Sequence, residues 1–180
     1  TYIQKLKDER FVVGLVYIDN YEEALDSTDD VRRSLLAGLI DKRVNKYFSP
    51  GSAIVRKLEK DKYIVVFRYN FLEKLMQDRF SLLEEIKSIK IGNEMRLTLS
   101  MGIGTGSAEY SKNYDVAKAA MDLALGRGGD QTVVKDGEKI LYYGGKSQQM
   151  EKNTRVKVRV KAHALRQILD NNSNVLVMGH

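Results

Sequence analysis

A near-unbroken apolar run, Phe11-Val12-Val13-Gly14-Leu15-Val16-Tyr17-Ile18, constrains this 180-residue chain more than any other segment. Side chains of a strand alternate between two faces, so a run without charged residues fits a central strand covered on both sides. The chain must therefore supply a sheet around this strand and cover for each of its faces. The run ends at Asp19-Asn20-Tyr21, where polar groups take over.

The remaining segments supply those parts. Thr28-Asp29-Asp30 offers N-cap chemistry for a helix through Phe48, with Leu36, Ile40 and Val44 at helical spacing. Residues 53–58 and 63–68 read as a hairpin turned by Glu59-Lys60-Asp61-Lys62. Asn70 is expected to start one amphipathic helix whose apolar face carries Leu72, Leu75, Met76, Phe80, Leu83 and Ile86. A strand over 96–104 leads to Gly102, Gly104 and Gly106, then a helix over 113–126, then a hairpin of 131–135 and 138–143 turned by Asp136-Gly137. The order β-α-β-β-α-β, followed by a further helix and hairpin, predicts an α+β fold with a ferredoxin-like core.

Charge divides the chain. Residues 146–180 carry +5 of the net +6, and residues 1–145 only +1. No aromatic residue interleaves the basic segment, so it has no platform for stacking bases, and nucleic acid is not an expected partner. The absence of cysteine excludes disulfides and thiolate metal sites and suits a reducing compartment. No apolar run approaches the ~20 residues of a membrane span, so this piece is expected to make no direct membrane contact. Thr1 and His180 read as cuts in a longer protein. The expected organisation is a linker helix over 1–10, a domain over 11–145, a basic linker helix over 146–173, and a first strand of another domain over 174–180.

The strand ending at Asp19, the hairpin and the block Leu97-Thr98-Leu99-Ser100-Met101-Gly102, in this order, resemble the GGDEF domain of diguanylate cyclases. That resemblance implies a fold of the nucleotide-cyclase type. It also exposes losses. The signature turn reads Glu59-Lys60-Asp61-Lys62-Tyr63, and the family's two acidic metal ligands fall on Tyr17 and Lys62. A phenol is a poor Mg²⁺ ligand and an ammonium repels the ion. The guanine-reading Asn aligns with Leu25 and the phosphate-binding Lys of the third helix with Leu125; the inhibitory Arg-x-x-Asp motif falls on Pro50-Gly51-Ser52-Ala53 and is absent. Asp19, Asn20, Tyr21, Lys60, Asp61 and Lys62 remain candidates for weak nucleotide binding, through backbone N–H groups and lysine charge.

The C-terminal segment Val175-Leu176-Val177-Met178-Gly179-His180 resembles the start of a DHH phosphoesterase, where a His at that place ligates Mn²⁺. His163 reads as a plain surface residue. Together the two resemblances point to the membrane-bound cyclic-di-AMP phosphodiesterases of Gram-positive bacteria, with PAS, degenerate GGDEF and DHH modules. They imply a cytoplasmic regulatory domain with no catalytic residue of its own, set between PAS and DHH partners, with Mn²⁺ in the DHH module and Mg²⁺ with ATP as a further ligand. The resemblance also implies a weak ATPase, which the residues here do not explain. The alternative is a structural dimerisation or signal-relay module that binds no nucleotide, with a homodimer as its form.

Overall fold

The computed structural model describes residues 1–26 and 28–145. The apolar run becomes β1 (Phe11–Ile18), third in a six-stranded sheet. It pairs antiparallel with β3 (Lys62–Arg68) on one side and β4 (Leu99–Thr105) on the other. β2 (Ile54–Glu59) forms the edge beyond β3. β5 (Gln131–Asp136) lies parallel to β4, and β6 (Lys139–Gly144) closes the far edge. The spatial order of the first four strands, β2-β3-β1-β4, with all neighbours antiparallel, is the ferredoxin-like arrangement.

Each face of β1 has its own helices. α1 (Tyr2–Asp8) precedes the strand and buries no residue. α2 (Tyr21–Asp26) and α3 (Asp30–Phe48) follow it. Asp29 caps α3, its carboxylate accepting from the Arg32 N–H at 2.9 Å. Val12, Val16 and Ile18 of β1 join Leu36, Ile40, Val44 and Phe48 of α3 in the main core. Val13 and Leu15 point the other way, onto Ala117 and Met121 of α6 (Tyr110–Gly126). Contact on both faces is why no position of the run inside the strand is charged.

α6 sits unusually close to the sheet. A Cβ on Gly104 would lie 2.2 Å from the Asn113 carbonyl oxygen and 2.3 Å from the Ala117 nitrogen. Asn113, fully buried, ties this junction by donating to the Phe11 and Ser107 carbonyls at 3.0 and 2.9 Å.

Three elements differ from the sequence expectation. The single helix from Asn70 is two: α4 (Tyr69–Gln77) and α5 (Leu82–Lys87). Arg79 and Phe80 between them adopt φ of 56° and 54°, which no continuous helix allows. The break turns Phe80 fully into the core, 5.0 Å ring to ring from Tyr143. Asp78 holds it, accepting from the Ser81 hydroxyl at 2.7 Å and the Tyr47 hydroxyl at 2.8 Å. The strand expected over 96–104 starts only at Leu99, because the Arg96 carbonyl accepts from Asn20 instead of joining a ladder. α2 was not expected at all. The expected segments 146–173 and 174–180 lie outside the described residues.

Candidate functional site

Register brings the two altered metal-ligand positions together. Tyr17 of β1 stands directly opposite Lys62 of β3, and the Ile18 N–H donates to the Asp61 carbonyl at 2.9 Å. The Lys62 ammonium lies 5.5 Å from the centre of the Tyr17 ring and 2.9 Å from a Glu59 carboxylate oxygen. Where the resembling cyclases need two carboxylates to hold a divalent ion, this chain has a fixed cation against an aromatic ring. The Glu59 hydrogen bond holds the Lys62 pKa above its usual value. Burial pushes the Tyr17 hydroxyl up as well, against the pull of Lys62, so the phenol stays neutral near pH 7. This donor set does not fit Mg²⁺. Among the described residues no three His, Cys, Asp or Glu side chains converge on a metal-sized space.

The other candidates largely have partners within the domain, although Asp19 and Lys60 stay exposed. Asp19 continues past β1 as a hub. Its carboxylate accepts from the Ser100 hydroxyl at 2.6 Å, the Thr98 hydroxyl at 2.9 Å and the Asp130 N–H at 3.0 Å. Asn20 accepts from the Thr98 N–H at 3.0 Å and donates to the Arg96 carbonyl at 2.9 Å. Lys60 pairs with Glu22 of α2. Asp61 contributes its backbone carbonyl to β1. Tyr21 and Leu25 are buried, so the place aligned with the base-reading Asn holds core side chains. Leu125 is 43% exposed near the end of α6 and offers no phosphate ligand. His163 and His180 lie outside the described residues.

Several partners were not read from the sequence. Thr98 and Ser100 alternate along the segment that runs antiparallel to the end of β1, which places both hydroxyls near Asp19 once the pairing is known. Asp130 follows two glycines of positive φ and sits at φ 55°; its carboxylate meets Lys87 of α5 at 2.8 Å. Beneath the hairpin, fully buried Tyr63 donates to Asp41 of α3, which also takes the Lys57 ammonium at 2.9 Å.

That buried tyrosine gives the domain an alkaline limit. Burial and then the Asp41 bond push the Tyr63 pKa far above its usual value. In the unfolded chain the phenol ionises near pH 10; in the fold it stays protonated. Its stabilisation is therefore complete below about pH 10 and is lost as pH rises further. Unfolding free energy should fall above pH 10 by up to about 1.4 kcal/mol per pH unit for this group. Tyr63→Phe should reduce the measured slope in urea titrations at pH 9 to 11, leaving the share of Tyr47, which burial and its Asp78 bond push up in the same way; an unchanged slope would show that Tyr63 ionises equally in both states.

Comparisons with known proteins agree with this architecture. Residues 16–141 match the model of the family described as "Cyclic-di-AMP phosphodiesterase GdpP-like, GGDEF domain". The chain is 36% identical over 173 residues to the cyclic-di-AMP phosphodiesterase GdpP of Geobacillus thermodenitrificans, covering 96% of this chain and 26% of that protein. It is 36% identical over 180 residues to the GdpP of Bacillus subtilis, covering 99% and 27%. It thus spans about a quarter of the length of these relatives. Among solved structures, the active GGEEF domain of a diguanylate cyclase from Vibrio cholerae superposes with a TM-score of 0.60 at 12% identity, over 73% of this chain and 85% of that one, which speaks to the fold alone. The family match and the identity to two phosphodiesterases, over a sheet of the same type, mean that the chain belongs to the GGDEF-domain family of GdpP-like cyclic-di-AMP phosphodiesterases.

Proposed function

We propose that this domain is a non-cyclase regulatory module of a cyclic-di-AMP phosphodiesterase, acting on a DHH hydrolase in the same chain. The observation that carries the reading is the Tyr17–Lys62 pair at the place where cyclase chemistry requires metal carboxylates. Hydrolysis is assigned to the DHH module with Mn²⁺, for which His180 would be one ligand; residues 1–145 supply no catalytic group. A PAS domain upstream and a membrane anchor complete the proposed parent. α1 and the basic segment 146–173 are the two mechanical contacts through which a change in this domain would bias its neighbours.

ATP, with or without Mg²⁺, enters as a weak ligand through its phosphates. Lys60 and Lys62 are surface groups whose bonds to Glu22 and Glu59 a triphosphate would have to displace. Base selectivity should be slight, because buried Leu25 presents no polar group to a purine edge. ATP and GTP affinities within tenfold of each other, both near millimolar and both weakened by Lys60→Ala with Lys62→Ala, are the expected calorimetric result. The alternative, a dimerisation or relay module without nucleotide, is favoured by the ion pairs and by the spent hydrogen bonds of Asp19 and Asn20.

The deciding experiment is Mn²⁺-dependent hydrolysis of cyclic-di-AMP by the full-length chain, with and without ATP, for wild type and the double lysine variant. The regulatory reading predicts an ATP-dependent rate that the variant blunts. A rate indifferent to both ATP and the variant supports the relay module instead.

A further inference from the structure

One face of the sheet is only partly covered. α6 packs over β1, β4 and β5 through Ala117, Met121, Ala120 and Ala124. Pairing extends that same face outward: Val13 lies opposite Val66, Val66 opposite Ile54, Leu15 opposite Ile64, Ile64 opposite Arg56, and Phe11 opposite Arg68. Ile64 borders the α6 cluster, and beyond it Ile54 and Phe11 stand 69% and 51% exposed. At its lower end a cavity of about 480 Å³ opens between Phe11, Ile54, Val66 and Phe71, with Arg68 and Lys74 in its lining.

Cations without a carboxylate partner gather on this stretch. Lys57, Lys60, Lys62, Lys87 and Lys112 each have a carboxylate partner. Arg56 and Lys74 have none among the described residues, and the Arg68 guanidinium has only the Phe11 ring, 5.9 Å from its centre. Apolar side chains and unpaired cations thus share one open surface with a cavity at its end.

We infer that this surface docks an acidic amphipathic helix. An apolar anchor of that helix enters the cavity, and carboxylates flanking its apolar stripe meet Arg56 and Arg68. Arg56 and Arg68 are four residues of strand apart in register, roughly 13 Å. Carboxylates two helical turns apart, about 11 Å, span that gap within side-chain reach. A second copy of this chain is a poor occupant, because a two-fold contact through this face sets arginine against arginine. The chain's own 146–180 segment carries a net +5 and so lacks the acidic composition of such an occupant. A polynucleotide would find aliphatic Ile54, Ile64 and Val66 at the centre, where stacking needs aromatic rings.

The test uses the 180-residue chain and a fluorescein-labelled 20-residue peptide: a helical leucine-and-phenylalanine stripe flanked by glutamates seven residues apart. Its glutamate-to-lysine counterpart and labelled poly-uridine are the comparisons. Fluorescence anisotropy should give at least tenfold tighter binding to the acidic peptide than to either. Arg56→Glu with Arg68→Glu should weaken it at least tenfold, and Ile54→Asp severalfold, with melting temperatures unchanged at these exposed sites. Amide shifts should map to residues 54–56 and 64–68. Equal affinity for the two peptides, indifference to the charge reversal, tighter binding of poly-uridine, or self-association abolished by Ile54→Asp would each overturn the proposal.

Discussion

Gly104→Val is expected to abolish the fold of residues 11–145. A Cβ there meets backbone atoms of α6 at 2.2 and 2.3 Å, the Asn113 oxygen and the Ala117 nitrogen, and neither can rotate away. The helix would have to lift from the sheet, exposing the contacts of Val13 and Leu15 with Ala117 and Met121. Overpacking of a well-filled core costs 1–3 kcal/mol when side chains can yield; with backbone on both sides the cost here should exceed about 3 kcal/mol. The control is Gly38→Ala in α3. Nothing lies within 4 Å of a Cβ at Gly38, and helix propensity alone should stabilise the protein by about 0.5–1 kcal/mol. Urea unfolding followed by circular dichroism checks both. A Gly104→Val protein with wild-type stability would mean that α6 does not sit where the structure places it.

Asp19→Ala should destabilise the domain by about 3 kcal/mol. Its carboxylate is the common acceptor for two hydroxyls and one backbone N–H, joining the end of β1, the segment entering β4, and the turn between α6 and β5. Hydrogen bonds to a charged group contribute about 1.5–3 kcal/mol each, and less than the sum when they share one acceptor. Ser100, fully buried, loses its partner on that carboxylate; the Asp130 N–H keeps the Ser100 hydroxyl at 3.1 Å. In a domain of this size the loss should lower the melting temperature by about 6–12 °C. Asp19→Asn keeps one carbonyl acceptor and should cost roughly half as much. A loss below about 1 kcal/mol for Asp19→Ala would leave the carboxylate free for a ligand, which the hub geometry denies.

The legible parts of this protein are those written in local pattern. The β1 run, the Asp29 cap and the hairpin around Asp61 all announce themselves within a few residues. The break between α4 and α5 does not, because Leu72 through Ile86 keep helical spacing and only the inward turn of Phe80 against Tyr143 decides it. At the site, the loss of both carboxylates can be read at Tyr17 and Lys62. Their mutual contact follows from strand register and needs the pairing of β1 with β3. The pairing of Lys60 with Glu22 could not be read, since it depends on α2, a six-residue helix too short to show a period.

A lysine stands where a cyclase of the resembling family holds its metal, so cyclase chemistry is not expected of this domain. Mass spectrometry of the nucleotide pool tests it most directly. The 180-residue chain is incubated with GTP or ATP and with Mg²⁺ or Mn²⁺. No cyclic dinucleotide is expected above the level of a protein-free control under any combination. A cyclic dinucleotide that accumulates in proportion to protein would contradict it, because the Tyr17–Lys62 pair would then be compatible with the metal-bound triphosphate it is argued to exclude.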